Sequence, residues 1–197
     1  MIVKGNVRRL LRRATFVLAM LALAALFGCS ASTVVPLRYQ PSTPQGTFSC
    51  PNPITLLPLA DKRADTLTIG SLGDGKRFYA ETDPSEWVSW ALFEELKVRG
   101  CDVKYRESAG GAAPKGYVVS GSFDTMNVES GTTLMAKANL RVRVRLEKDG
   151  QFINEQIYSG ERENLGLTRV DAAQKVLSST LQYILQDAAT DVVRAAK

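Results

Sequence analysis

The sequence predicts an α/β domain of the α+β type: a single mixed, largely antiparallel sheet of 4–5 strands with two helices packed on one face, in the order β-α-β-β-β-(β)-α. Three observations predict it. A capped helical pattern runs over residues 84–100, strand-like alternation with a hairpin signal runs over residues 117–157, and a long apolar stripe at helical spacing runs from residue 168 to 192.

The chain begins outside that domain. Lys4, Arg8, Arg9, Arg12 and Arg13 form a basic stretch without an acid, and Ala14 through Phe27 is an almost uninterrupted apolar run. That run has the length of a secretory h-region and falls short of the roughly 20 residues a helix needs to cross a bilayer core. Leu26-Phe27-Gly28-Cys29 then looks like a bacterial lipoprotein cleavage box, with Cys29 as the lipid-attachment residue. A conventional signal peptide cut nearby, after Ala31, and an uncleaved anchor are the alternatives. The expected organisation is a lipoprotein signal peptide over 1–28, a lipidated N-terminus and flexible Pro/Ser/Thr-rich tether over 29–52, and one α/β domain over 53–197. The membrane is then a partner through N-terminal acyl chains such as palmitate.

Removing the leader changes the charge argument. The chain has 25 basic and 20 acidic residues, but five of the basic ones precede Cys29, which leaves 20 against 20. The high pI belongs to the leader, and the remaining roughly 170 residues, enough for one domain with a proper core, give no electrostatic reason to expect nucleic acid as a partner.

Pro36, Pro41, Pro44 and Pro51 lie among Ser, Thr and Gln without hydrophobic periodicity, so this stretch reads as tether, with a reach of at most about 60–70 Å. Ile54 to Leu59 is the first strand. The segment from Ala60 to Thr82 is polar and glycine-rich; Gly70-Ser71-Leu72-Gly73-Asp74-Gly75 superficially resembles a phosphate loop, but no Lys-Ser/Thr pair follows, and a surface loop is the better account.

Asp83-Pro84-Ser85-Glu86 supplies an N-cap, a proline at the first helical position and an acid in the first turn. Val88, Ala91, Leu92 and Leu96 recur at helical spacing, and Gly100 fits a left-handed C-terminal cap. Trp87 and Trp90 widen the apolar side; they are core or its rim, or a candidate partner surface, since large amphipathic aromatics are enriched in interfaces.

Cys101 opens a short strand, Asp102 to Tyr105. In a βαβ unit, consecutive strands often lie parallel and adjacent, so Cys50 before the first strand and Cys101 before the second are placed to bridge. Export makes a disulfide permissible; two separate thiols are the alternative.

Strands follow at Tyr117 to Val128 and Thr132 to Leu146. Leu140, Val142, Val144 and Leu146 face one way, and Arg141, Arg143 and Arg145 the other, a row best read as a solvated face and alternatively as a site for an acidic partner. Asp149-Gly150 signals a two-residue hairpin that places Leu146 opposite Ile153 and Val142 opposite Ile157. Thr168 and Asp171 form a capping box for the last helix, whose stripe includes Val176, Leu177, Leu181, Ile184, Leu185 and Val192.

The chain has no histidine, which removes the commonest metal ligand and proton shuttle. Asp61, Asp65, Asp74 and Asp83 are scattered through loop sequence, with no acid–base spacing. No catalytic residue, metal site or cofactor is assigned, and an enzyme is the minority reading.

Asp61-Lys62-Arg63 after the first strand, Ile69-Gly70 in the loop, Leu96-Lys97-Val98-Arg99-Gly100 at the helix end, and the Ala136 to Val144 strand together resemble YajG-type lipoproteins of Gram-negative bacteria. The resemblance implies an outer-membrane lipoprotein with a compact α/β domain, facing the periplasm, without established enzymatic activity. Cys101 stands where the family tends to carry an aromatic residue. The expected function is a lipid-anchored, non-catalytic domain that binds or supports an unknown envelope protein. The alternatives are an accessory lipoprotein of a lipid-transport ABC system and, third, a small-molecule-binding or enzymatic domain.

Overall fold

The computed structural model describes residues 33–44, 48–106, 115–131 and 133–197. Cys29 and the leader lie outside the described residues. The chain from Thr33 to Lys197 forms one compact unit.

Among the described residues the order is β1 (Val34–Val35), β2 (Ile54–Leu56), β3 (Ala60–Asp61), β4 (Gly70–Leu72), β5 (Arg77–Ala80), α1 (Pro84–Val98), β6 (Val103–Tyr105), β7 (Tyr117–Ser130), β8 (Met135–Lys148), β9 (Gln151–Leu165) and α2 (Arg169–Ala195). The sheet is therefore nine-stranded, and the expectation of 4–5 strands is overturned. The sheet is mixed: β7–β8, β8–β9 and β4–β5 pair antiparallel, while the other pairings are parallel.

β7 explains the extra strands. At 14 residues its edge extends about 45 Å. β8 pairs along one side over nearly the whole length, and β2, β3 and β4 take successive stretches of the other side, opposite Tyr117–Val119, Ser122–Phe123 and Val128–Ser130. Strands of two or three residues show no periodicity of their own. The long edge gives them their hydrogen bonds, as when Lys62 N–H donates to the Phe123 carbonyl and Val128 N–H to that of Ile69.

The glycine-rich segment is consequently not a plain loop. β4 and β5 form a hairpin across Gly73-Asp74-Gly75, and β4 docks on β7 so closely that a Cβ at Gly70, whose φ is +153°, would lie 2.0 Å from the Val128 carbonyl oxygen. Only glycine fits there.

The segment expected to act as a tether is also partly built into the domain. β1 pairs with β5, Val35 and Leu37 are buried, and Ser42 is inside the fold.

α1 starts and stops as its sequence dictates. The Asp83 carboxylate accepts from Ser85 N–H at 2.6 Å; at the other end Gly100 N–H reaches the Lys97 carbonyl and Cys101 N–H that of Leu96, a Schellman closure with Gly100 at φ +80°. α2 is capped by the Thr168 hydroxyl, which accepts from Asp171 N–H at 3.0 Å, while the Asp171 carboxylate accepts from Leu167 N–H. The two helices pack on one another and on the sheet, over Ile54, Leu56, Val119, Phe123, Leu140, Val142 and Val144. The rest of that interface comes from the buried Val88, Leu92 and Leu96 of α1 and the long stripe of α2.

The β8–β9 hairpin departs from the expected register. Asp149 and Gly150 both have positive φ, as a type I′ turn requires, but an irregularity between Leu146 and Glu147 inserts Ile153 as an extra residue. Leu146 then opposes Asn154, and Val142 opposes Tyr158.

Candidate functional site

Four regions of the described residues carry functional readings from the sequence, and the structure treats them differently. The cysteine pair is the first. Cys50 and Cys101 are disulfide-bonded with their Cα atoms 4.9 Å apart. The cause is topological: β2 and β6 lie side by side and parallel, with Ile54 opposite Val103, so the residues that precede each strand meet.

The scattered carboxylates are the second, and each is engaged structurally. Asp61 accepts from Arg63 Nε at 3.0 Å and Nη2 at 2.6 Å, and the buried guanidinium goes on to the Thr68 carbonyl and lies over the Phe123 ring. Asp65 accepts from the Thr68 hydroxyl and from two backbone N–H groups, which hold it below the usual aspartate value. Asp74 is lowered likewise by Lys76 N–H and by the nearby Lys76 and Arg169. Asp83 caps α1. No acid–base pair emerges, and no group of three or more His, Cys, Asp or Glu among the described residues is arranged to hold a metal.

The arginine row is likewise engaged. Arg143 pairs with Glu155 at 2.8 Å, Arg145 with Glu147 at 2.6 Å, and Arg141 with Asp124 at 3.8 Å. These half-exposed pairs make the row a solvated face.

The fourth region is the face of α1 that carries the tryptophans. Trp87 and Trp90 are one turn apart, yet Trp87 is 6% exposed and Trp90 is 42% exposed. Trp90 is nonetheless fixed, stacked on Tyr105 at 5.2 Å between centroids and edge-on to Phe93 at 4.9 Å. Beside them opens a groove of about 320 Å³ walled by Trp87, Trp90, Glu86 and Glu94 of α1, by Thr82, and by Leu37 and Tyr39 of the segment after β1. The Trp87 Nε1–H is buried and finds no acceptor among the described residues. A buried donor left this way costs about 1–3 kcal/mol.

The far wall of the groove is held by a buried cluster that sequence reading did not single out. Glu95, with no exposed surface, accepts from the Tyr39 hydroxyl at 2.6 Å, from Ser42 N–H at 2.7 Å, from the Ser42 hydroxyl at 2.6 Å and from Arg99 Nη1 at 2.5 Å. Burial opposes ionisation of Glu95, but the hydrogen bonds from Ser42, Tyr39 and Arg99 outweigh it, and the carboxyl stays below the usual glutamate value. Burial and the Glu95 carboxylate together push the Tyr39 phenol well up. Arg99 continues to the Gln186 carbonyl and the Thr190 hydroxyl, so one ion pair joins the strap after β1, α1 and α2. The signal was present: Glu95 lies on the apolar stripe of α1, three residues after Leu92, with Arg99 four residues beyond.

No family model and no curated protein matches the sequence. Solved structures do match. A crystal structure of a Xanthomonas campestris protein of the DUF330 family superposes with a TM-score of 0.65 at 9% identity, covering 83% of this chain and 96% of that one. An uncharacterised protein superposes with a TM-score of 0.52 at 12% identity, covering 81% of this chain and 99% of that one. Identities this low speak to the fold alone. The chain thus has the fold of the DUF330-family protein over most of its length, in keeping with the YajG-type resemblance carried by its sequence.

Proposed function

We propose that this chain is a non-catalytic domain of an outer-membrane lipoprotein, anchored through lipid on Cys29, facing the periplasm and docking another envelope component on the α1 groove. The observation that carries the docking is the convergence of both tryptophans of the chain on one apolar groove, with Trp90 held rigidly at its mouth. The leader and the Cys50–Cys101 disulfide support an exported, oxidising setting. Four peptide steps separate Cys29 from Thr33, a reach of at most about 14 Å. Because β1 belongs to the sheet, a lipid on Cys29 holds the domain close to the bilayer and not at the end of a long tether.

Metabolic palmitate labelling of wild type and Cys29→Ser, with membrane fractionation, tests the anchor; persistent labelling of the variant refutes it. A photocrosslinker at position 90 tests the docking. Reproducible capture of one identified envelope protein is expected, and no capture in intact cells counts against it. The accessory role in a lipid-transport ABC system draws on the same groove. Its apolar wall suits docking on a transport component, whereas the interior between helices and sheet is filled by packed side chains among the described residues. In that reading the domain docks and does not carry lipid.

A further inference from the structure

We infer that the α1 groove takes a segment of a partner protein in which apolar side chains are flanked by lysine or arginine. The inference rests on the groove being a docking surface and specifies the chemistry of what docks. Glu86, Trp90 and Glu94 follow one another at four-residue intervals, so they form one row along α1, acid, aromatic, acid, with the two carboxylates about 12 Å apart along the axis. Both glutamates line the groove, and no basic residue does. Neither carboxylate has a hydrogen bond or ion pair among the described residues, although the other acids of α1 and its cap, Glu95 and Asp83, are both engaged. Glu86 gains something from the first turn of the helix; Glu94, in the third turn, has no such account.

The apolar part of the site is independent of these charges. Leu37, Trp87 and Trp90 offer the wall. The match is therefore twofold: apolar side chains against the indoles, and cations for two carboxylates unpaired among the described residues. An anionic membrane surface fits the same groove badly, because Glu86 and Glu94 repel it.

The test uses the fact that the chain has two tryptophans and both are in the groove, so intrinsic fluorescence reports on this site alone. Full-length lipoprotein in mild detergent is titrated with two capped peptides, Lys-Ile-Leu-Lys and Glu-Ile-Leu-Glu, and with vesicles of phosphatidylglycerol and phosphatidylethanolamine. The basic peptide is expected to change the emission saturably and the acidic one to leave it unchanged. Joint Glu86→Gln and Glu94→Gln substitution weakens the basic peptide about 3- to 10-fold, as two partly exposed ion pairs would, and 0.5 M salt does the same to wild type. Equal binding of both peptides, or a response to vesicles alone, overturns the inference. If neither peptide binds while a crosslinker at position 90 still captures an envelope protein, the charge assignment falls and the docking reading stands. If neither occurs, both fall.

Discussion

Leu146 of β8 stands opposite Asn154 of β9, and Ile153 is the extra residue that puts it there. The hairpin turn alone pairs Leu146 with Ile153. One inserted residue moves every following side chain of β9 to the other face, because the strand period is two. Ile157 is therefore on the outer face beside Arg143, 42% exposed, and Asn154, Gln156 and Tyr158 turn toward α2, where Tyr158 meets Asp191.

Substitution at matched positions separates the two registers. Ile157→Thr is expected to change stability by no more than about 0.5 kcal/mol, as a surface change does. Val142→Thr, at a position with no exposed surface, buries a hydroxyl and costs about 1–3 kcal/mol. Urea unfolding of the two variants measures both values, and similar costs at the two sites contradict the bulged register.

The Cys50–Cys101 bond closes 51 residues of chain, including β2 through α1. By chain entropy, closure of such a loop is worth about 4 kcal/mol. Reduction, or Cys101→Ser, is expected to lower the unfolding midpoint accordingly without changing the far-ultraviolet signal of the folded state. An unchanged midpoint under reductant tells against a structural role for the bond.

These two cases show what the sequence carried and where it stopped. α1, α2 and β8 were legible because each repeats its period over several turns or residue pairs and ends on a chemically marked cap or turn. The disulfide was legible because a strand–helix–strand order brings the starts of β2 and β6 together. The short strands were not. Val34–Val35, Ala60–Asp61 and Gly70–Leu72 are strands only because the edges of β5 and β7 lie beside them, and that information is held elsewhere in the chain. Nor could spacing decide that Trp87 would be buried while Trp90, three residues on, stayed half exposed. The fate of each depended on the strap from β1 and on Tyr105.

Asp83 gives a direct check that the loop carboxylates are structural. Its side chain satisfies the Ser85 N–H at the start of α1, so Asp83→Ala is expected to cost about 1 kcal/mol. Asp83→Asn, which keeps an accepting oxygen, restores most of that. Thermal unfolding of the pair makes the comparison, and an equal loss in both variants argues that the charge, not the cap, is what the site requires.

The buried cluster around Glu95 makes stability of the strap depend on acid. Its carboxyl is held below the usual glutamate value in the folded chain, whereas the unfolded chain titrates near an ordinary value of about 4.3. The stability contributed is thus present above that range and is lost as pH falls toward the folded value, because the unfolded chain takes up a proton that the folded chain resists. Ser42 N–H, which donates to Glu95, reports the event. Its protection from exchange, relative to the intrinsic amide rate at each pH, is expected to fall as pH drops below the ordinary glutamate value while amides of β7 and β8 stay protected. Glu95→Gln leaves the Arg99 guanidinium buried beside a neutral amide, so it costs about 3–5 kcal/mol at neutral pH and flattens the acid dependence. The strap also forms one wall of the groove through Leu37 and Tyr39. Acid and Glu95→Gln are therefore expected to alter tryptophan emission in the same direction, and a strap that loosens without any change in emission separates the cluster from the groove.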